Sequence, residues 1–368
     1  MKLKKEKKAE ISTGPKHRFL RRKKIILAII LVIVIAAGTT ATLIIINKKP
    51  ASTTTSTVVT KKPTPKPAPA PIKYYSPLTG LEVASEAATT QAVTGVMIEN
   101  SPDARPQSGL KNSGVVFEAI AEGGITRFLV LYQQEKPQLI GPVRSVRLYD
   151  VEWLAAFNAS LAHVGGSYYG LQEVRNGQYR DIDQFFNSGS YWRSNDRYAP
   201  HNVYTSFARL DALNAAKGYT SSSFTGFART EGKASLKPDA STVNINISSS
   251  LFNSQYIYNA ATNNYTRYQA GAPHADREDG AITPSVVIAM FVDETSVFED
   301  GWREQVTTIG NGRAVIFQNG VATESTWHKD SKTSQVYFTD VAGQTIQLVR
   351  GQTWIAAVPN GEGSVSWQ

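Results

Sequence analysis

The chain has 368 residues, 41% of them hydrophobic, with no cysteine and a formal net charge of +9, which is long enough for two domains of ordinary size. The lack of cysteine excludes disulfides, thiolate metal sites, cysteine nucleophiles and a lipid-modified N-terminal cysteine. The charge implies little about partners, because residues 1–24 alone carry +9 while the part from Tyr74 onward holds 28 acids against 22 bases; nucleic acid is therefore not an expected partner.

Residues 25–46, IILAIILVIVIAAGTTATLIII, are 22 residues without a charge, and as a helix they would span roughly 33 Å, the thickness of a bilayer core. Following a basic tail (1–24), they are expected to form a single transmembrane helix with the N-terminus cytoplasmic and the remainder extracytoplasmic. A cleaved signal peptide is the competing reading, since VIAAG offers small residues, but the apolar run of such a peptide is ordinarily about 7 to 15 residues. Residues 47–73 are rich in Ser and Thr and then in Pro. They cannot bury a core and are expected to be a disordered stalk, about 80 Å long if fully extended as polyproline II.

The ectodomain reads as α+β. Residues 74–225 are expected to form an α/β-type domain with a mixed sheet. Its elements are a strand at Ala92–Ile98, a polar loop ENSPDARPQSGL, a hairpin turning at Gly123–Gly124 and a strand at Gln138–Val143. A helix from Val146 to Asn158 follows, then a short strand SLAHVG, a helix in YGLQEVRN and another at Thr205–Lys217. Residues 235–368 show short period-two runs broken by turn pairs such as Asn263–Asn264 and Asn319–Gly320, the pattern of a β-rich domain.

The candidate site residues gather in the first of these regions. A two-residue turn at Gly123–Gly124 would set Glu122 opposite Ile125, Ile120 opposite Arg127 and Glu118 opposite Leu129, so that Glu118, Glu122 and Arg127 share one face. A buried Glu118 needs a cation or donors, which Arg127 could supply. In GPVRSVR, Pro142 breaks the strand and Ser145 is placed to cap the helix, so Arg144 and Arg147 flank a helix N-terminus whose N–H groups favour an anion. A phosphate or carboxylate held by Arg144, Arg147, Ser145 and Arg127, joined by Arg105 from the loop after the first strand, is the expected ligand. Salt bridges to Glu118 or Glu122 are the alternative. His163 before a Gly pair and His201 in RYAPHNVY could act as general bases or be hydrogen-bonded at packed loops. Asp181 and Asp183 alternate in DIDQFF, but no further ligand falls at metal spacing, and no metal site is expected. His274, Asp276, Arg277, Glu278 and Asp279 form a charged loop expected to face solvent. With no Walker loop, HExxH or GxSxG, the motifs specify neither a reaction nor a cofactor.

The motifs VMIENSPDARPQSGL, EGGITRF, GPVRSVR, HVGGS, APHNVY, TWHKD and GQTWIAAVP, in this order from about Pro77 to Pro359, resemble the YerB-like family of bacterial extracytoplasmic proteins. The resemblance implies two successive domains and a surface location, and it brings no proven activity. Family members are often lipoproteins, whereas this chain has no cysteine and an expected transmembrane anchor. A likeness of layout alone, to the LytR-CpsA-Psr phosphotransferases, implies an enzyme acting on cell-wall glycan or lipid-linked phosphate, with His163 or His201 as base and Glu118 or Asp183 as acid or metal ligand. Three functions stand side by side: a membrane-anchored envelope protein binding an anionic cell-wall polymer or lipid-linked phosphate, that enzyme, and a protein-interaction scaffold whose arginines are spent on internal ion pairs.

Overall fold

Residues 72–298 and 301–368 are described in the structure, a computed structural model. The expected basic tail, the transmembrane helix and all but the last two residues of the stalk lie outside the described residues. No helix among the described residues is long and apolar enough to cross a membrane.

Three antiparallel strands come first: β1 (Thr94–Glu99), β2 (Val115–Glu122) and β3 (Ile125–Tyr132), with β3 between the other two. Gly123 and Gly124 join β2 to β3 with φ of 56° and 75°, the left-handed pair that a two-residue hairpin turn requires and that glycine adopts without a Cβ penalty. The turn pairs Glu122 with Ile125 as expected, but a bulge follows at once. Ile120 pairs with Thr126 and Glu118 with Phe128, not with Arg127 and Leu129. One extra residue in a strand flips every side chain beyond it. Glu118 therefore shares a face with Val116, Ile120 and Phe128, while Glu122 and Arg127 meet on the opposite one.

The outer edge of β1 continues in parallel through β4 (Ser160–Ala162) and β5 (Arg180–Asp181). The small second sheet is built from β6 (Thr242–Asn246), β7 (Ser254–Asn259), β8 (Asn264–Gln269) and β9 (Ala272–Pro273). Back in the main sheet come β10 (Val286–Val292), β11 (Glu294–Phe298), β12 (Arg303–Val306), β13 (Gly310–Gln318), β14 (Val321–Lys329), β15 (Tyr337–Thr339) and β16 (Thr353–Pro359), and β17 (Ser364–Trp367) closes the small one. The main order is β15-β14-β13-β10-β16-β2-β3-β1-β4-β5, and the small sheet runs β9-β8-β7-β6-β17. Because β16 lies in parallel between β10 and β2, strands from both expected regions meet in one sheet. The expected Asn319–Gly320 hairpin is present, with Gln318 opposite Val321.

Both faces of the main sheet are covered, which is why FLVLY in β3, VVIAMFV in β10 and TWIAAVP in β16 are continuous apolar runs. On one face Val243, Ile245, Tyr256 and Tyr265 of the small sheet pack on Val287, Phe317, Trp354 and Val358, joined by Phe207 and Leu210 of α3 (Phe207–Ala216). On the other, Val151, Trp153 and Leu154 of α1 (Leu148–Leu154) and Val174 of α2 (Tyr168–Val174) pack on Phe117, Leu129, Ile288 and Ile355.

Two expected boundaries are corrected. Helix α1 begins at Leu148 with Arg147 as its N-cap residue, because Val146 is still extended and its N–H donates to the Gly165 carbonyl at 3.0 Å. The helix ends at Leu154 and gives way to a 3-10 turn, Ala155–Phe157. The expected strand Gln138–Val143 is only a set of isolated bridges from Ile140, Gly141 and Val143, interrupted where Pro142 removes a donor.

One buried ion pair joins the two sheets. Glu118 of β2 and Arg267 of β8 are both fully buried and lie 2.9 Å apart. Trp354 Nε1 donates to Glu118 Oε2 at 2.9 Å and Thr126 Oγ1 to Oε1 at 3.1 Å. The Arg267 guanidinium lies 4.4 Å from the Trp354 ring centroid. The partner of Glu118 is thus Arg267 and not Arg127. Removing one member of such a pair strands a buried charge. Arg267→Met is expected to lower the unfolding free energy in urea by about 3–5 kcal/mol, with most of the loss recovered when Glu118→Leu is added; a single-variant loss below about 1 kcal/mol would contradict this role for the pair.

Candidate functional site

Parallel strands β1 and β4 end on the same edge of the sheet, together with β5, and in such sheets ligands bind outside the carboxyl ends of the strands. The backbone assembles this edge. Arg144 N donates to the Met97 carbonyl and Val164 N to the Arg144 carbonyl, both at 2.9 Å, so the segment carrying Arg144 lies between the ends of β1 and β4.

At the last residue of β1, Glu99 is 3% exposed. Its Oε1 accepts from Ser101 Oγ at 3.1 Å, lies 2.9 Å from His201 Nδ1 and forms an ion pair with Arg144 Nε at 3.4 Å. Its Oε2 is buried and has no hydrogen-bond partner among the described residues. Held through Nδ1, His201 turns Nε2 outward, 4.0 Å from Asp103 Oδ2.

His201 lines an open cleft of about 700 Å³, together with Asp103, Arg105, Arg197, Tyr198 and Arg277. Arg105 Nε donates to Asn100 Oδ1 at 3.1 Å and its Nη2 to the Asn100 carbonyl at 2.8 Å. Arg197 donates to the carbonyls of Asp103 at 2.6 Å, Arg105 at 3.2 Å and Pro106 at 2.6 Å. Both guanidiniums therefore bond to neutral acceptors, and no carboxylate contacts either of them among the described residues. Arg277, by contrast, is paired with Asp196 at 3.0 Å. Burial lowers the pKa of Arg105 from its ordinary value, with Arg267 acting in the same direction against the attraction of Glu118.

The other expected anion ligands are consumed internally. Arg127 Nη2 lies 2.8 Å from Glu122 Oε1, and Arg147 bonds to Glu122 Oε2 through both Nε and Nη2. Arg127 Nη1 also donates to the Ser145 carbonyl at 3.1 Å. Ser145 does not cap the helix; the Arg147 N–H is instead taken by Asp150 Oδ2 at 2.8 Å. With seven residues, α1 offers no N-terminal anion site of its own.

His163 and Asp183 are likewise bonded within the protein. Both are fully buried. The His163 ring nitrogens face the Gly165 carbonyl at 2.8 Å and Asp181 Oδ1 at 3.1 Å. Asp183 accepts from Arg175 Nη2 at 2.6 Å and from the Gly165 and Phe185 amides at 3.1 Å each. Glu118 is sealed under Trp354, so of the four candidates for catalysis only His201 reaches a cleft.

Sequence reasoning missed Glu99, whose signal was a carboxylate ending the buried strand VMIE. It also missed Arg197, which carries no signal at all because its partners are loop carbonyls. The loop at 274–279 is not simply solvated, since His274 and Asp276 are 5% and 2% exposed. His274 Nε2 lies 2.9 Å from Gln107 Oε1, and Gln107 Nε2 donates to Asn100 Oδ1 at 2.9 Å, which links this loop to Arg105. Burial, with Arg267 and Arg105 nearby, holds the His274 pKa well below its ordinary value.

A second cavity, of about 350 Å³, is lined by Glu294, Glu304 and Glu362. Burial and these two neighbours raise the Glu294 pKa to about 8. Among the described residues no three His, Asp or Glu side chains are grouped so as to hold a metal ion.

For Glu122, burial opposes the charge, but the attraction and hydrogen bonds of Arg127 and Arg147 prevail and lower its pKa from 4.5 to about 2. A depressed folded-state value contributes stability that is present above the unfolded value and lost as pH falls toward the folded one. Thermal stability is expected to drop between pH about 4.5 and about 2, and Glu122→Gln is expected to remove that part of the profile; an unaltered acid limb in the variant would show that the ion pair is not its source.

Residues 78–220 match the family profile described as the N-terminal domain of a protein of unknown function (DUF3048), and residues 243–355 match its C-terminal domain. The YerB protein of Bacillus subtilis (strain 168), whose name marks it as a candidate lipoprotein, is 31% identical over 295 residues, covering 78% of this chain and 87% of the relative. The crystal structure of YerB from Bacillus subtilis is similar with a TM-score of 0.71 and 28% identity, covering 80% of this chain and all of that one.

Proposed function

The chain belongs to the DUF3048 family and is similar to YerB, and we propose that it is a membrane-anchored extracytoplasmic protein that binds an anionic component of the cell envelope. The ligand is a phosphate- or carboxylate-bearing polymer or lipid-linked phosphate. Its site is the cleft of Arg105, Arg197 and His201, with Arg144 behind His201. One observation carries this reading: Arg105 and Arg197 face the cleft while bonded only to neutral groups among the described residues. A guanidinium without a carboxylate beside it keeps an attraction for phosphate or carboxylate that an internally paired one has already used. Arg127 and Arg147 share the Glu122 carboxylate and also donate to the Ser145 and Val146 carbonyls, so their hydrogen bonds are engaged within the fold.

A second reading, an enzyme using His201 as base, is favoured by the Glu99 carboxylate on Nδ1, an arrangement that orients an imidazole and leaves Nε2 to accept a proton.

The test is a calorimetric titration of the full-length protein in detergent with pyrophosphate at two ionic strengths. Charge-assisted hydrogen bonds contribute about 1.5–3 kcal/mol each, so Arg105→Ala and Arg197→Ala are each expected to weaken binding by about 10- to 100-fold. Added salt should weaken it further. Lys217→Ala, on the exposed end of α3, should change nothing. Equal affinity in all three variants would reject the site. Conversion of the ligand during the titration, abolished by His201→Gln, would establish the second reading.

A further inference from the structure

The same sheet edge carries a feature that anion binding does not use. Phe185 and Phe186, in the turn after β5, are 67% and 71% exposed, and Tyr168 and Tyr169 at the start of α2 are 68% and 40% exposed. Between residues 160 and 200 every exposed large hydrophobic side chain is aromatic, Tyr198 in the cleft included, whereas elsewhere among the described residues most are aliphatic, Trp302 and Tyr337 excepted. Two adjacent phenylalanines left in water forgo the burial that such side chains ordinarily gain, and an exposed aromatic cluster of this kind marks a binding surface.

The rings are held in place. A Cβ at Gly165, where φ is +57°, would lie 3.1 Å from Phe185 Cε2, so one edge of that ring rests against bare backbone. The Arg175 guanidinium lies 5.0 Å from the Phe186 ring centroid while also bonding to Asp183. A planar hydrogen-bonding group, Arg175, thus stands beside the flat apolar ring of Phe186 and keeps part of its surface in solvent. A pyranose presents the matching pattern: axial C–H bonds form an apolar face for an aromatic ring, and equatorial hydroxyls project in the plane of the sugar toward polar neighbours. An aliphatic surface or a continuous apolar groove would suit a protein segment better.

We infer that Phe185 and Phe186 form a carbohydrate-binding shelf that takes the sugar rings of a glycan. The shelf adjoins the cationic cluster through the backbone, since Val164, next to Gly165, donates to the Arg144 carbonyl. Joined to the anion reading, on which this last step rests, the ligand class becomes an anionic glycan, its sugar rings on the phenylalanines and its charged substituent at Arg105 and Arg197.

The experiment is calorimetry of the full-length protein with two probes: a neutral hexamer of β-1,4-linked N-acetylglucosamine for the shelf and pyrophosphate for the cleft. Phe185→Ala with Phe186→Ala is expected to weaken the neutral oligosaccharide at least tenfold and to leave pyrophosphate affinity within twofold. Arg105→Ala is expected to do the reverse. Phe185→Tyr with Phe186→Tyr keeps both rings and is expected to retain oligosaccharide binding, which separates loss of the aromatic surface from loss of fold. Absence of oligosaccharide binding at millimolar concentration in the unmodified protein, or unchanged affinity in the double alanine variant, overturns the shelf. Loss of pyrophosphate binding alone would reject the anion cleft and leave the shelf standing.

Discussion

Charge buried away from water has to be paired, and the Glu118–Arg267 pair meets that requirement at the centre of the molecule. It ties the small sheet to the large one through a contact with no exposed atom to spare. From it a hydrogen-bonded path runs outward: Thr126 Oγ1 donates to Glu118 and accepts from Asn100 Nδ2 at 2.7 Å, and Asn100 in turn accepts from Arg105. The position of Arg105 at the cleft is therefore set by the core. A change in how the two sheets pack would be felt where the ligand is expected.

The same pairing rule sorts the arginines by role. Glu122 is shared by Arg127 and Arg147, and Glu118 takes Arg267, so each of these three guanidiniums is bonded to a carboxylate inside the fold. Glu99 is less saturated: a single oxygen serves Ser101, His201 and Arg144, while the other has no hydrogen-bond partner among the described residues. An under-satisfied carboxylate beside a partly exposed arginine is a costly arrangement for a purely structural site, and it sits where the parallel strands end. Function is accordingly drawn from position and remaining charge, and not from the number of arginines.

Much of this fold was legible in the sequence. Glycine pairs and Asn–Gly pairs carry their own turn geometry, so both hairpins could be read at their tips, and continuous apolar runs marked the doubly covered strands. Local errors came from local structure that leaves no pattern. The bulge beyond Ile120 reversed the facing of Glu118, and the extended pairing of Val146 with Gly165 delayed α1 by two residues. The larger misses were long-range. Arg267 lies 149 residues from Glu118, and no spacing rule connects them. Arg105 and Arg144 could be picked out by their place at element ends, but that Arg147 would bond to Glu122 and Arg197 to loop carbonyls depended on the assembled structure.

The central claim is that ligand-accessible positive charge lies at Arg105 and Arg197 beside His201 and not at Arg127 and Arg147. The most direct measurement is a crystal of the full-length protein soaked in a tetrahedral anion with a strong anomalous signal, such as selenate. The account predicts an anomalous peak within hydrogen-bonding distance of Arg105 or Arg197 in the cleft, lost in the Arg105→Ala, Arg197→Ala double variant. A peak on Arg127 and Arg147 with Glu122 displaced, or an unoccupied cleft in a crystal whose cleft is open to solvent, would contradict it.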